Sequence, residues 1–503
     1  MNFHLQTLGC RLNEAELATW TRHLHQRGHA VTRVLEDADV AVVNSCAVTM
    51  DAARSSRRIV RRLHRDNPRL RIVVTGCLAT LEPETVSPLP GVDLVVPNAD
   101  KHVLVDQMLQ ALLPGTMPVA AMDAPPVPLA HDRRRRAFVK VQDGCRNRCS
   151  FCVVTVARGE ERSRPIAEVV DEVGALVDAG RREVVLTGVH LGGYGSDLDT
   201  DLRQLVRALL QDTDVQRLRL GSLEPWDIPA GFFGLWDDPR LLPHLHLPAQ
   251  SGSASVLRRM RRRCTPDAYA RLVQAARTHI PGLNLTTDLI VGFPGETPEE
   301  HDETLAFVDR MGFGDAHLFV WSPRPGTRAA TLPDRVPRPI GKARSAALNA
   351  RIHALKQRTL SAAMGLHDAV LIESLRTVDG TLVGRGHTRN YLPARVQGVG
   401  PLDVGRVVDI VVARTEAGNW AYPSGMQAIR TNGRLTWPSG VQARSSAGRW
   451  HKPSGVAAGN SAALWTWACE KKPDVCAEVP AGTAKDDDLR GQLVLVEVGW
   501  AAR

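Results

Sequence analysis

The sequence predicts an α/β protein with an N-terminal parallel α/β domain, a partial (βα)6 barrel and a small C-terminal antiparallel β-barrel. Three observations predict this class. Apolar strand-like runs alternate with amphipathic helical runs over most of the chain, which is typical of βαβ units. Six such repeats follow a Pro- and Ala-rich segment, and short β runs punctuated by glycine follow them. A length of 503 residues also suits about three domains.

The first domain is expected at residues 1–113, followed by a linker at 114–136 that is rich in Pro, Ala and Met. Strands separated by helices imply a parallel sheet in this domain. The predicted strands are 3–8, 40–44, 71–75 and 93–96, and the predicted helices are 13–27 and 51–65.

The barrel and a trailing helix are expected at residues 137–363. Six βα repeats are too few for a closed eight-fold barrel, so a partial barrel is predicted. The predicted strands are 138–142, 183–187, 217–220, 244–247, 285–291 and 317–321, and the predicted helices are 166–179, 202–210, 266–279, 298–311 and 340–363.

The β-rich third domain is expected at residues 364–413, and an atypical tail occupies 414–503. The predicted strands of the third domain are 369–374, 381–386, 394–397 and 407–412. The tail repeats a Pro-Ser-Gly unit with a period of 15 residues. Because Pro-Ser-Gly is turn chemistry, the units are either short strands joined by turns or a tail without fixed order.

The composition is that of a globular protein. Hydrophobic residues make up 43% and charged residues 23%, which excludes a mainly disordered chain. No apolar run reaches about 18 residues, so no membrane span is expected. The N-terminus shows no secretory signal pattern. An odd number of cysteines, nine, without such a signal indicates reduced thiols and a cytoplasmic location.

The charge balance is basic. The chain has 63 Lys and Arg against 54 Asp and Glu, a formal net charge of +9, and most of the excess is arginine. Guanidinium groups suit phosphate, so nucleic acid is a candidate partner, although a GC-rich coding sequence would also favour arginine. The basic runs 133–136 and 258–263 are candidate phosphate contacts, and a solvated helix face is the alternative for the second run.

Three cysteines of the first domain follow predicted strands. Cys10, Cys46 and Cys77 come directly after the strands at 3–8, 40–44 and 71–75. The carboxyl ends of parallel strands form the binding crevice of an open sheet, so these cysteines are expected to converge. A single cysteine in such a place is usually a buried structural residue. Three cysteines in equivalent places instead indicate that they are metal ligands.

Three further cysteines, Cys145, Cys149 and Cys152, form a C-x3-C-x2-C motif just after the first barrel strand. Zinc sites usually add a second C-x2-C pair or histidines, and no matching pair follows here. Three thiolates suit three irons of a [4Fe-4S] cubane and leave the fourth iron open for an exogenous ligand. The motif therefore predicts an iron–sulfur site at the mouth of the barrel.

With these motifs in this order, the chain resembles the radical S-adenosylmethionine enzymes of the methylthiotransferase family. The resemblance covers roughly residues 1–412. The matching segments are 9–13, 44–49, 75–77, 140–152, 157–159, 162–164, 186–192, 247–253 and 288–297. The third domain, with its segment 386–391, resembles the RNA-binding TRAM module of that family, in which Arg389 and Tyr391 offer a charge and a stacking ring.

The resemblance implies two [4Fe-4S] clusters and S-adenosylmethionine as cofactors. Cys145, Cys149 and Cys152 would be the catalytic ligand set, because reductive cleavage of S-adenosylmethionine at their cluster yields a deoxyadenosyl radical. Cys10, Cys46 and Cys77 would hold a sulfur-handling cluster. An electron donor such as flavodoxin or ferredoxin and a sulfur source are then implied as partners, together with tRNA.

Four residues at later strand ends are candidates for binding S-adenosylmethionine: Thr187, Gly188, Glu224 and Asp288. For the two carboxylates, an ordinary salt bridge or a helix cap is an equal alternative.

The segment 44–49 resembles the branch that adds a methylthio group to C2 of N6-threonylcarbamoyladenosine at position 37 of tRNA. The other branches act on isopentenyladenosine in tRNA or on a ribosomal-protein aspartate. A non-catalytic iron–sulfur RNA-binding protein is the alternative from another class. The segments 186–191 and 288–292 argue against it, since a sensor needs no pocket for S-adenosylmethionine.

Overall fold

The computed structural model describes residues 1–112, 135–378, 381–397 and 399–413, together with three short strands at 427–430, 434–436 and 442–444. The chain divides into two compact units, Met1–Lys356 and Gln357–Arg503. Most of the predicted linker and most of the repeat-containing tail lie outside the described residues. Within the described part, no helix has the length and apolar character that a membrane span requires.

The N-terminal part of the first unit is a parallel five-stranded sheet with the order β2-β1-β3-β4-β5. All six residues of its central strand are buried, which explains the unbroken apolar run in the sequence. The strands are β1 (Asn2–Thr7), β2 (Ala30–Val31), β3 (Val40–Ser45), β4 (Arg71–Gly76) and β5 (Val92–Val96). The helices are α1 (Arg11–Gln26), α2 (Met50–Asp66), α3 (Cys77–Leu81), α4 (Pro83–Val86) and α5 (Leu104–Leu112), and a 3₁₀ helix spans Asn98–Val103.

The remainder of this unit contains six parallel strands in two three-stranded sheets, with the orders β10-β9-β6 and β11-β12-β13. Parallel bridges from Leu218 to Leu241 and from Ser222 to His246 lie between the two sheets. The strands of this part are β6 (Arg136–Lys140), β7 (Gln142–Asp143), β8 (Arg162–Ser163), β9 (Glu183–Thr187), β10 (Leu218–Leu220), β11 (His244–His246), β12 (Asn284–Val291) and β13 (Asp315–Val320). The short strands β7 and β8 pair with each other in antiparallel orientation.

Helices connect most of these strands and cover a core that contains Val184, Leu186 and Leu289. Helix α11 shows how the sequence sets a helix start: Thr297 and Glu300 form a reciprocal capping box around its first turn. The helices are α6 (Val154–Arg158), α7 (Ile166–Asp178), α8 (Leu202–Asp212), α9 (Ala254–Arg259), α10 (Pro266–His279), α11 (Pro298–Met311) and α12 (Arg338–Ala362).

The second unit contains an antiparallel sheet with the order β16-β15-β14-β17-β18. Its core includes Val370, Ile372, Val396 and Ile410. The strands are β14 (His367–Val378), β15 (Thr381–His387), β16 (Pro393–Gln397), β17 (Val407–Ala413) and β18 (Gln427–Arg430), and β19 (Arg434–Thr436) pairs with β20 (Gln442–Arg444). The predicted α/β class, with parallel sheets followed by an antiparallel β region, is confirmed. Strand β18 adds to the sheet beyond residue 413, where the third domain is expected to end.

Candidate metal centres and active site

Cys10, Cys46 and Cys77 follow β1, β3 and β4, three neighbouring strands of the parallel sheet, and so lie at one edge of it. Cys46 and Cys77 are 6% and 5% exposed, and Cys10 is exposed. The thiols lie within electrostatic range of one another and of the Arg158 guanidinium. Burial raises the pKa of the Cys46 thiol to about 11. We call this group the N-terminal triad.

The backbone beside the N-terminal triad is closely packed. Gly9 has φ +96°, and a Cβ there would lie 2.7 Å from the Cys46 Sγ. Ser56 Oγ accepts a hydrogen bond from the Cys46 N–H and donates one to its carbonyl oxygen, each at 3.0 Å. Because only glycine fits at position 9, the turn after β1 brings the main chain directly against a candidate ligand.

Cys145, Cys149 and Cys152 lie in the loop after β7, and we call them the barrel triad. Gly144 has φ +74°, and a Cβ there would lie 1.8 Å from the Glu160 carbonyl oxygen. The Cys145 N–H donates to the Gly159 carbonyl at 3.1 Å and the Cys152 N–H to the Cys149 carbonyl at 3.1 Å. The loop therefore folds back on its own C-terminal flank with no room for a side chain at position 144.

The donor set of both triads fits an iron–sulfur cluster. Burial raises the pKa of the Cys145 thiol to about 11 and that of Cys152 to about 12, so in the protein alone these groups are thiols at neutral pH. A bound metal deprotonates them, and sulfur ligands suit iron–sulfur clusters or zinc. Each triad supplies three sulfur atoms, which leaves one iron of a cubane without a cysteine from its triad.

Thr187 and Gly188 lie at the carboxyl end of β9, next to the start of the barrel-triad loop. The Thr187 carbonyl accepts from the Val141 N–H at 3.0 Å. A Cβ at Gly188 would lie 2.9 Å from the Gln142 Oε1, and the Gln142 Nε2 donates to the Gly144 carbonyl at 2.8 Å. Gly188 therefore lies against the Gln142 side chain that bonds the glycine preceding Cys145, and Thr187 pairs with Val141 at the end of the neighbouring strand.

The two candidate carboxylates have cationic or histidine partners. Glu224 follows β10, pairs with Arg262 at 2.6 Å and lies within electrostatic range of all three cysteines of the barrel triad. Asp288 lies on β12, where its Oδ1 is 3.0 Å from His317 Nδ1 and 3.3 Å from His246 Nε2. Glu224 therefore makes the ion pair that was the alternative to cofactor binding, and Asp288 has two histidine partners.

Two arginines of the run 258–263 do not form the solvated face that was one interpretation of this run. The Arg262 side chain is 3% exposed, stacks 4.3 Å over the Trp226 ring and places its Nη1 3.8 Å from Cys149 Sγ. Arg259 pairs with Glu300 at 2.5 Å. Nothing in the local sequence separates Arg262 from its basic neighbours, so sequence reasoning did not identify it as a neighbour of the barrel triad.

His190 is a second residue near the barrel triad that sequence reasoning left without a role. Its Nε2 lies 2.6 Å from Asp227 Oδ2 and 2.9 Å from Asn147 Nδ2, and its Nδ1 bonds to Glu161. Burial lowers its pKa, but the bonds to Asp227 and Glu161 outweigh burial and raise the pKa above its ordinary value. One ligand atom each of His190, Glu161 and Cys145 lies within 4.8 Å of the others. The imidazole thus connects Asn147 of the cysteine loop to two carboxylates, of which that of Glu161 lies next to Cys145.

Comparison with known protein families finds a match for each half of the first unit. Residues 2–97 match Uncharacterized protein family UPF0004, and residues 139–308 match the Radical SAM superfamily. The radical S-adenosylmethionine methyltransferase TsrM from Kitasatospora setae has a similar fold, with a TM-score of 0.50, 16% identity and coverage of 65% of this chain and 75% of that chain.

Two curated relatives match over most of their length. Threonylcarbamoyladenosine tRNA methylthiotransferase MtaB from Bacillus subtilis is 35% identical, over 82% of this chain and 93% of the relative. tRNA-2-methylthio-N(6)-dimethylallyladenosine synthase from Halorhodospira halophila is 38% identical, over 74% of this chain and 81% of the relative. With both cysteine triads in place, the chain belongs to the radical S-adenosylmethionine methylthiotransferase family.

Proposed function

We propose that this enzyme adds a methylthio group to C2 of N6-threonylcarbamoyladenosine at position 37 of tRNA. The observation that carries the proposal is that one compact unit contains two separate cysteine triads, the N-terminal triad at the carboxyl ends of parallel strands and the barrel triad in the loop after β7. The identity to the Bacillus subtilis relative over 93% of its length supports this substrate. The Halorhodospira halophila relative favours a second candidate, N6-dimethylallyladenosine (isopentenyladenosine) in tRNA.

The barrel triad would hold a [4Fe-4S] cluster with S-adenosylmethionine, and the N-terminal triad would hold a second [4Fe-4S] cluster. When bound, these groups supply one-electron chemistry that activates an unreactive C–H bond and a sulfur atom for transfer. The protein's own groups orient the metal ligands. The tightly packed loop at Gly144 positions the barrel triad, and Arg262 places a cation beside Cys149. The proposed reaction also requires an external electron donor, such as flavodoxin or ferredoxin, and a sulfur source.

Thr187, Gly188, Glu224 and Asp288 are proposed as contacts to S-adenosylmethionine. Support comes from the position of the first two beside the barrel-triad loop and from the electrostatic proximity of Glu224 to its thiols. The bonds from His246 and His317 to Asp288 make that residue equally suited to orienting the two histidines.

The six parallel strands β6 and β9–β13 are proposed to form the partial (βα)6 barrel, and the antiparallel sheet of the second unit is proposed to be a TRAM-like RNA-binding domain. In that sheet the Tyr391 ring stacks on His387 with centroids 4.5 Å apart. A stacked pair of rings near Arg389 in the sequence suits stacking against an unpaired base. The limits proposed for these domains are 137–363 and 364–413, and strand β18 extends the sheet of the second unit beyond the last limit.

The substrate is tested by mass spectrometry of tRNA nucleosides from a strain that lacks this gene and has no second copy. Loss of 2-methylthio-N6-threonylcarbamoyladenosine, restored by the wild-type gene but not by a Cys145→Ala variant, is the expected result. Loss of the 2-methylthio-isopentenyl nucleoside instead would identify the second candidate. If the purified, reduced protein forms no deoxyadenosine from S-adenosylmethionine, it is not an enzyme of this type.

A further inference from the structure

A cluster of buried charged groups links the N-terminal triad to the barrel triad. At its centre is the Glu16 carboxylate on α1, whose side chain is 3% exposed. Its Oε2 accepts hydrogen bonds from Lys101 Nζ at 2.6 Å and from Asn44 Nδ2 at 2.9 Å. Lys101 also donates to Asn44 Oδ1 at 2.9 Å. Asn44 lies two residues before Cys46, so this oxygen of Glu16 is tied to the strand end that carries the N-terminal triad.

The other oxygen of Glu16 contacts residues that flank the barrel-triad loop. Its Oε1 lies 3.1 Å from Arg158 Nη1, and Lys140 Nζ approaches it at 3.3 Å. The same Arg158 Nη1 donates to Asp143 Oδ1 at 2.9 Å, which in turn accepts from the Gly144 N–H at 2.9 Å. Arg158 ends the helix that follows Cys152, and Asp143 lies two residues before Cys145. Glu16 is therefore bonded to groups on both flanks of the barrel-triad loop.

Arg158 also reaches the surroundings of the N-terminal triad directly. Its Nη2 donates to Asn13 Oδ1 at 2.7 Å, and the same oxygen lies 3.7 Å from Cys10 Sγ. On the other side of the triad, Asn98 Nδ2 donates to the Ala157 carbonyl at 2.7 Å and lies 3.8 Å from Cys77 Sγ. The short helix α6 thus contacts residues beside two cysteines of the opposite triad.

The Glu16 carboxylate is ionised and buried, and burial lowers the pKa of the neighbouring Lys101 ammonium despite its bond to Glu16. Burial by itself would raise the pKa of the Glu16 carboxyl, but Lys101, Arg158 and Lys140 outweigh burial and hold that pKa well below its ordinary value. Removing so many charges from water is costly, and apolar side chains of similar volume stabilise a fold as well or better. A buried network of this kind is better explained by the geometry that it imposes than by stability.

We propose that Glu16 is a positioning residue that sets the spacing of the two cysteine triads by holding Arg158 against the residues beside Cys10. Rigid spacing lets a substrate activated at the barrel triad meet sulfur held at the N-terminal triad. This catalytic consequence rests on the proposed function, whereas the spacing itself does not.

The test compares two variants of the full-length, anaerobically reconstituted protein. Glu16→Gln keeps the size of the side chain and removes its charge. Glu183→Gln is the matched control, because Glu183 is equally buried and pairs with Arg217 and Arg219 at 2.7 Å each, at the opposite end of β9 from Thr187. Two quantities are measured: the dipolar coupling between the two reduced clusters by electron paramagnetic resonance, and the ratio of deoxyadenosine formed to methylthio product.

For Glu16→Gln we expect a changed dipolar coupling and a ratio at least about tenfold above wild type, because deoxyadenosine formation needs only the barrel triad. Glu183→Gln should keep both wild-type values even if its melting temperature falls. Wild-type coupling in Glu16→Gln, or an equal change in Glu183→Gln, would overturn the proposal.

If Glu16→Gln does not load iron, the same measurements on Glu16→Asp test the proposal. This variant keeps the charge and shortens the side chain by one methylene. The proposal requires that Glu16→Asp load both clusters with an altered coupling, and unaltered coupling contradicts it. If the wild type makes no methylthio product from any tRNA, the proposed function fails, but the dipolar coupling still tests the spacing.

Discussion

The Nη1 of Arg262 lies 3.8 Å from the Sγ of Cys149, although 113 positions separate the two residues in the chain. The Nη2 of the same guanidinium donates to Glu224 Oε2 and to the Pro248 carbonyl, each at 2.6 Å. The arginine is thus held on one side by a carboxylate and a carbonyl and presents its other side to a candidate metal ligand. A fixed cation in this place favours the thiolate form of Cys149.

Replacing Arg262 by Gln should therefore impair the barrel triad. The change removes the cation beside Cys149 and leaves the Glu224 carboxylate without its partner. Residues that orient metal ligands typically contribute a factor of about 10–100 to affinity or activity. We expect the rate of deoxyadenosine formation without tRNA, measured by chromatography, to fall by a factor in that range. Arg263→Gln, at an exposed neighbouring position, is the control, and equal rates in the two variants would refute the role of Arg262.

Gly144 and Gly159 provide a matched pair for the loop of the barrel triad. Both have positive φ, +74° and +72°, but a Cβ at Gly144 would lie 1.8 Å from the Glu160 carbonyl oxygen, whereas one at Gly159 has no heavy atom within 4 Å. Gly159→Ala should cost only the backbone strain of about 1–3 kcal/mol. Gly144→Ala should open the loop and abolish the barrel cluster.

The measurement for this pair is iron and sulfide content after reconstitution. Gly144→Ala should retain about half of the wild-type iron, since the N-terminal triad is untouched, and Gly159→Ala should retain nearly all of it. Equal iron content in the two alanine variants would show that the contact with Glu160 does not shape the loop.

Glu183 should make stability depend on pH at the acid end. Burial raises the pKa of its carboxyl, but Arg219 and Arg217 outweigh burial and lower that pKa to about 2. A carboxyl whose pKa is depressed in the folded state stabilises the protein above its unfolded pKa, and this contribution is lost as the pH falls from about 4.5 towards 2. The shift corresponds to roughly 3 kcal/mol.

Glu183→Gln should thus lower the free energy of unfolding at pH 7 by about 3 kcal/mol and flatten its dependence on pH below 5. Urea unfolding of the metal-free protein at pH 7, 4.5 and 3 measures both effects. Parallel pH curves for variant and wild type would mean that Glu183 does not account for the acid sensitivity.

Asp288→Asn separates two roles for this residue. If Asp288 contacts S-adenosylmethionine, loss of a hydrogen bond to a charged group should weaken binding by about tenfold or more, measured by calorimetry on the reconstituted protein. Asp309→Asn, which removes a carboxylate from a surface pair with Arg351, is the control. Unchanged affinity in Asp288→Asn would leave the residue only its bonds to His246 and His317.

Much of the local structure follows from the sequence. The strand at 183–187 and the helices at 266–279 and 298–311 have the predicted limits, because apolar runs and capping residues such as Thr297 mark them locally. The short helices α3 and α6 escaped prediction, since five residues carry too little periodicity to be recognised.

The sequence alone predicted three cysteines directly after three strands and a second set of three in the loop that follows another strand, since strand period and cysteine spacing are local properties of the chain. Only the tertiary structure showed which charged residues meet them. Glu16 and Arg158 are 142 positions apart, and Arg262 shares its basic run with exposed arginines. Such pairs form because tertiary packing removes charged groups from water, and a buried charge is stable only beside an opposite charge or a hydrogen-bond partner. No local sequence pattern shows which distant residues packing brings together.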